Sequence, residues 1–455
     1  MKFLKKYKIL NYKIFLLSIF CFIFGAVFFY YQIFPFNYET KNFLKKNISF
    51  VTKKKSLPEN IESLYYKINL KKINLPSKSR YGGIDFLDKN NLVFVDGEGR
   101  IFIYNINHKK FIQKTNSLSE KIIKNKKSFI NYYNEQKNNI NLLFSVKDIH
   151  VNHFNGIKFI FFSSNFFDEK LKCHKINLYR SEIILAPKIE FKEVELIYST
   201  KDCLKKDLTP SLGFAGGSAG GRIFKLDEEN ILLTTGDFSA DGVNGPILSQ
   251  DMNSHFGKVI KINIFNRENN IFSSGHRNPQ GLFIDKNKNI FLTEHGPRGG
   301  DELNLIFENK NYGWPFATYG VNYSSHPKYN FKYEDNYHYE WSLDKYNNNH
   351  QYYEKPLFTW GPKYAVSNLL MYSGKKFKKW KKKIIVSTLY SKQLTLLSYD
   401  VKNNKIFSTE NIYINKRIRD IIESPSGDIY LMTEETNRGN ELDFPNLIVL
   451  TNKFK

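Results

Sequence analysis

The chain has 455 residues, 41 % of them hydrophobic, and a formal net charge of +24. That length and apolar content permit one large domain or two ordinary ones and exclude wholesale disorder. The charge alone suggests a nucleic-acid partner, but the lysines are scattered and accompany abundant Asn, Ile, Phe and Tyr, a bias that A/T-rich codons explain. No helix-turn-helix, finger or RNA-binding signature goes with them, so no nucleic-acid partner is expected.

The first predicted element is a membrane helix. Lys2, Lys5, Lys6, Lys8 and Lys13 precede an apolar run from Ile14 to Phe34, long enough to span a bilayer. The basic flank keeps the N-terminus cytoplasmic. The run closes on the aromatic stretch FFYYQIFPF rather than on a small-residue cleavage site, which predicts an uncleaved transmembrane signal anchor over residues 1–36. A polar linker follows over 37–58, and the body, 59–455, is expected outside the cytoplasm, periplasmic or otherwise extracytoplasmic. Cys173 and Cys203 in that body either pair as a disulfide or stay as two buried thiols; geometry decides.

The body shows short β-rich runs separated by Gly, Asn and Asp turns, with little sustained helical periodicity. A unit recurs: an apolar strand, a turn, a second apolar strand, a loop and a further strand. Its cycles begin at Gly82, Val146, Gly220, Pro279, Ser367 and Ile418. Six such cycles predict an all-β, six-bladed β-propeller, in which loops from several blades converge on one face of a central channel. The lysine-rich KKFKKWKKK, 375–383, reads as a solvated hairpin connection.

One stretch, GHRNPQGLFIDKNKNIFLTEHGPRGGDELN from Gly275 to Asn304, concentrates glycine, proline and charge. With NYGWP (Asn311 to Pro315) and RIRDIIESPSGDIY (Arg417 to Tyr430), it resembles the signature of the soluble pyrroloquinoline quinone (PQQ)-dependent sugar dehydrogenases, the glucose/sorbosone and aldose sugar dehydrogenase group. The resemblance is densest from about Gly216 to Gly320 and loose between Asn60 and Thr209. That family is a six-bladed propeller, in agreement with the independent repeat count.

The resemblance implies a site. PQQ is a planar quinone with three carboxylates, which calls for cations, and arginine suits both its charge and its flat face. Carried over residue by residue, Arg277 and Asn278 of HRN, His295 of EHGP, and Arg417 and Arg419 of RIRD are implied to contact the cofactor. The carbonyls of Gly296 and Pro297 are implied to bind calcium, a hard cation that accepts backbone oxygens. Tight turns between blades are the competing explanation for Arg277, Asn278, Asp301, Gly299 and Gly300.

The pattern also breaks. The family's catalytic base is a histidine just before a Gly-Gly-Arg frame; here the stretch is GGSAGGRIFKL, and Ser218 holds that place. Asp237 of TTGDF matches the aspartate that orients the base. Losing a positioned base typically costs about a hundred- to ten-thousandfold in rate. The family's cofactor-facing lysine in the fifth blade is matched by Tyr390 of STLYSKQL. Lys392, two residues on, shares its face if the strand is regular. KNNINLLF, 137–144, stands where the family has a glycine-rich loop. His295, with His276 and His150 behind it, is the candidate replacement base.

The leading expectation is therefore a membrane-anchored, PQQ- and calcium-dependent oxidoreductase of sugars or related alcohols, its electron acceptor unspecified. The alternative is a non-catalytic exported propeller that binds a saccharide, an anionic ligand or a protein partner at the same funnel. A calcium-dependent hydrolase would need a carboxylate cluster, for which Asp237, Glu294 and Asp301 are the only suggestive acids.

Overall fold

The innermost strands of the molecule are Gly82–Phe86, Val146–Phe154, Gly220–Lys225, Pro279–Ile284, Val366–Met371 and Ile418–Glu423. Each touches the next in that order, and the last touches the first, so they close a ring around a central channel. Each opens a sheet that is antiparallel throughout, save for one parallel edge pair, Ser273–Ser274 with Lys310–Asn311, in the third, which makes the protein an all-β, six-bladed propeller. The computed structural model describes residues 57–135, 143–208, 211–242, 245–321, 350–361, 363–434 and 445–453. Among them no helix is long and apolar enough to cross a membrane. The run 14–34 predicted as the anchor, and the linker up to Ser56, lie outside the described residues.

Why the strands read as continuous apolar runs is visible in the first blade. Leu92 and Phe94 pack against Tyr430, Met432 and Val449 of the sixth blade. Their alternates Val93 and Val95 pack against Val146, Ile149 and Ile160 of the second. A strand buried on both faces needs apolar side chains at every position, not every second one. The same apolar layer recurs between each pair of neighbouring blades.

The ring is locked by a strand from the other end of the body. All eight residues of Lys67–Asn74 pair antiparallel with Asn446–Lys453 and form an outer strand of the sixth blade. The channel itself is tied by Arg222. Its guanidinium donates to Asp148 at 2.7 Å, to the carbonyl of Gln280 at 2.6 Å and to the carbonyl of Arg419 at 2.9 Å. Asp420 accepts from Asn368 at 2.6 Å and from the amide of Ile84 at 3.0 Å, and lies 3.4 Å from Arg222. One buried network thus joins all six blades.

Two features depart from the sequence reading. Ser117–Glu135 is a 19-residue helix between the first and second blades. Asn116 caps it by accepting from the amide of Ser119 at 3.1 Å. Its buried residues Leu118, Ile122, Phe129 and Tyr133 recur at intervals of 4, 7 and 4, one face of a helix, a stripe that the β rhythm of the surrounding chain overshadows in the sequence. The lysine-rich 375–383 connection does expose most of its lysines, but Phe377 and Trp380 are fully buried, stacked at 4.5 Å.

Cys173 and Cys203 form a disulfide across 30 positions. Reduction, or the double change Cys173→Ser with Cys203→Ser, is expected to lower unfolding stability by about 2–4 kcal/mol, because an open loop of that size gains entropy when unfolded. Denaturant unfolding with and without reductant measures this.

Candidate functional site

The inner strands carry a shared irregularity where they enter the channel. In every blade but the first, the register slips at the start of the innermost strand: between Val146 and Asp148, Gly220 and Ile223, Pro279 and Gly281, Val366 and Leu369, and Ile418 and Asp420. A bulge leaves a residue unpaired and re-aims its side chain. The residues inside these slips include Lys147, Gln280 and Arg419, and they line one rim.

On that rim Glu434 is the hub. Its side chain is only 1 % exposed and accepts from Arg419 Nε at 2.7 Å, Arg80 Nη2 at 2.9 Å and Arg417 Nη2 at 3.2 Å. Burial by itself raises a carboxyl pKa; here Arg419, Arg80 and Arg417 outweigh burial and hold Glu434 at about 2. Tyr81 lies under the group, with the cations of Lys147, Arg419 and Arg80 at 4.4, 4.8 and 5.1 Å from its ring centre. Tyr81 sits at φ +68°, a conformation costly for a bulky residue. Gly82 beside it cannot bear a side chain, since a Cβ would stand 2.0 Å from the carbonyl oxygen of Val95. The positive charge exceeds the negative, and the buried Nε groups of Arg80 and Arg417 have no partner among the described residues.

A chain of side-chain amides links this cluster to the fourth blade. Arg419 Nη1 donates to Gln280 Oε1 at 2.9 Å, Gln280 Nε2 donates to Asn278 Oδ1 at 2.9 Å, and Asn278 Nδ2 donates to His295 Nδ1 at 3.3 Å. The other ring nitrogen of His295 donates to the carbonyl of Val366 at 2.7 Å, which fixes the tautomer. Burial and the Arg277 guanidinium push His295 below the usual histidine range, against Asp301. Arg277 lies 5.2 Å from the Trp314 ring centre and donates to the carbonyls of Gly296 at 2.9 Å and His295 at 3.2 Å. Arg277, Asn278, His295, Arg417 and Arg419 therefore share one rim.

The third-blade residues flank it. Ser218 adopts φ +49°, and its Oγ accepts from Ser239 Oγ at 3.2 Å. Asp237 is fully buried; its carboxylate accepts from Trp314 Nε1 and from the Ser239 amide, both at 2.7 Å. Burial pushes its carboxyl up to about 7, with Asp241 adding and Arg277 opposing. Ser239 thus stands between Asp237 and Ser218.

Tyr390 and Lys392 fall differently from the regular strand assumed for them. The strand ends at Thr388, and both lie in the following turn, Lys392 at φ +57°. Alternation does not apply there, and Tyr390 is 59 % exposed. His276 is enclosed by Ser273 at 2.9 Å and Glu294 at 3.1 Å, and His150 accepts from the amide of Lys225 at 3.2 Å, so both are engaged inside the fold.

The acids considered for a metal are occupied as well. Asp301 accepts from the amides of Gly296 at 3.1 Å and Ala365 at 2.6 Å, and Glu294 from the amide of Arg277 at 2.7 Å. No group of three or more His, Cys, Asp or Glu side chains suited to a metal occurs among the described residues. Sequence reading missed Arg80, Tyr81, Lys147 and Glu434. The available signal was positional: each lies within two residues of an innermost strand or, for Glu434, just past its partner strand.

The family model described as glucose / sorbosone dehydrogenase matches residues 150–442. The aldose sugar dehydrogenase YliI of Escherichia coli (strain K12) is 33 % identical over 205 residues, 42 % of this chain and 51 % of that protein. The chain spans about half the length of the curated relatives it matches. The apo-form structure of the soluble aldose sugar dehydrogenase from Escherichia coli superposes with a TM-score of 0.63 at 19 % identity, over 85 % of this chain and 100 % of that one. The PQQ-bound aldose sugar dehydrogenase from Streptomyces coelicolor does so with a TM-score of 0.54 at 16 % identity, over 88 % and 100 %. At these identities the solved structures speak for the fold, while the family match covers well over half of the chain and includes the HRN, EHGP and RIRD residues of the rim: the chain belongs to the glucose/sorbosone dehydrogenase family.

Proposed function

We propose that the rim binds PQQ and that the protein oxidises a sugar or related alcohol there. The observation that carries this reading is the surplus of cations around Glu434, with two arginine Nε groups left without partners among the described residues. Such a cluster is suited to a ligand that brings several carboxylates. A relative with aldose sugar dehydrogenase in its name supports the substrate class, and a PQQ-bound structural neighbour supports the cofactor. Arg417, Arg419 and Arg80 would hold carboxylates, and Arg277, Asn278 and His295 would border the ring. PQQ, when bound, supplies a hydride acceptor.

The proton of the substrate hydroxyl needs an acceptor from the chain. Ser218 is a poor one near neutral pH. His295 serves only if Asn278 releases its Nδ1. Calcium at Gly296 and Pro297 belongs to the same expectation, but the Gly296 carbonyl faces the Arg277 guanidinium at 2.9 Å, a cation already in place, so no step is assigned to the metal. The second reading, a binding propeller without turnover, is favoured by Ser218 and its bond to Ser239.

The body is read as a single propeller unit over 59–455, held outside the cytoplasm by the anchor at 1–36; the disulfide fits an oxidising compartment. The test is to titrate the full chain in detergent with PQQ, with and without calcium, following tryptophan fluorescence, and then to add a sugar panel with an artificial electron acceptor. Saturable binding with dye reduction is expected for the oxidoreductase. Saturable binding without reduction supports the second reading, and absence of binding removes the cofactor.

A further inference from the structure

Lys147 has no part in the site as the family pattern describes it, yet it is among the most confined cations of the rim. Only 8 % of the residue is exposed. It lies inside the bulge of the second blade's innermost strand. Its stem crosses Gly221, where an added Cβ would meet Lys147 Cβ at 2.4 Å, so the glycine clears the path of the side chain. Its Nζ donates to the carbonyls of Leu143 at 2.6 Å and Gly216 at 3.1 Å and stands 4.4 Å from the Tyr81 ring centre. No carboxylate is within ion-pair distance of it among the described residues, although Glu434 lies in the same cluster beyond Arg419 and Arg80.

A buried ammonium held by neutral carbonyls and facing two arginines is costly without an anion. Two carbonyls take two of its three N–H groups, and the third is left for the side on which Tyr81 and Arg419 lie. Meanwhile Tyr390, at the position expected to carry a lysine, is turned into solvent on a hairpin. We propose that Lys147 is an anion-binding residue of this pocket, gripping a carboxylate or quinone oxygen of the bound planar polycarboxylate and replacing from the second blade the cation absent from the fifth. This rests on the cofactor reading above and adds a contact to it.

The charge balance gives the proposal a signature beyond activity. Burial, with Arg419 and Arg80, lowers Lys147 well below the ordinary lysine value, and Glu434 opposes them. The other groups facing it do not offset this: Tyr81 is raised by burial, and His174 is held neutral, at about 3, by burial and by Lys147 itself. An arriving anion restores the charged form. Binding therefore takes up protons wherever the free amine is deprotonated, and affinity falls as pH rises through that range.

The test uses the full chain in detergent and two probes, PQQ and pyridine-2,4,6-tricarboxylate, with affinity followed by fluorescence and proton uptake by an indicator dye in weak buffer. Lys147→Met is expected to weaken binding by about ten- to a hundredfold, the usual effect of losing one charge-assisted hydrogen bond, and to abolish proton uptake. Lys147→Arg, always charged, is expected to bind within about threefold of wild type without uptake. Unchanged affinity and uptake in Lys147→Met would overturn the proposal and leave Lys147 a tie between two carbonyls, which would show as altered melting alone. Lys147-dependent binding of the pyridine probe without PQQ binding would keep the anion residue and remove the cofactor reading. Failure of wild type to bind either probe would overturn both.

Discussion

On the proposed oxidoreductase function, replacing Ser218 by histidine is expected to raise the rate of sugar oxidation with PQQ by about a hundred- to ten-thousandfold, the range that a positioned general base supplies. The backbone accepts the change. Ser218 sits at φ +49°, and histidine is among the non-glycine residues enriched in that left-handed region. Support for the ring is present: Ser239 reaches Ser218 Oγ at 3.2 Å, and Asp237 lies behind it on the Ser239 amide at 2.7 Å. A neutral imidazole there would take the hydroxyl proton near neutral pH, which a serine hydroxyl does not. The measurement is kcat on an aldose panel for wild type, Ser218→His and Ser218→His with Asp237→Asn. A variant that binds PQQ yet stays inactive would place the substrate hydroxyl away from the third-blade loop and favour the non-catalytic reading.

Glu434→Gln is expected to cost about 3–5 kcal/mol of stability, because it leaves Arg80, Arg417 and Arg419 facing one another without a counter-charge. A bound polycarboxylate should recover part of that loss by supplying the missing negative charge, seen as a ligand-dependent rise in Tm. The same carboxylate sets an acid limit in the wild type. With its pKa held at about 2 rather than the ordinary 4.5, Glu434 stabilises the fold fully above pH 4.5; the contribution, about 3 kcal/mol, is lost as pH falls through about 2. Thermal unfolding from pH 6 down to pH 2 should fall in wild type, with this component absent from Glu434→Gln. Equal slopes in the two proteins would mean that the arginines find other partners.

Much of the architecture is written locally. The cycle starts read from turns and apolar runs, Gly82, Val146, Gly220, Pro279, Ser367 and Ile418, fall within one residue of the innermost strands. The reason is physical: each strand is buried on both faces between neighbouring blades, so each leaves an uninterrupted apolar run bounded by turn residues. The HRN, EHGP and RIRD motifs are legible for a similar reason, since each gathers charged side chains and constrained backbone in a few consecutive residues. Gly296 is an example, with a Cβ there colliding with the carbonyl oxygen of Gly299 at 2.2 Å.

What the tertiary structure alone decided is whatever depends on closing the ring. The pairing of Lys67–Asn74 with Asn446–Lys453 joins segments from opposite ends of the body and has no local signature. The disulfide needed the second blade to bring Cys173 to Cys203. Arg80, Lys147, Arg419 and Glu434 come from the first, second and sixth blades, and meet because bulges at the strand entrances break the two-residue alternation from which side-chain direction is read in a sequence. The sequence by itself determined the blades, their order and the motifs at their ends; the cluster of cations around Glu434 exists only where the closed ring turns side chains from distant strands onto one rim.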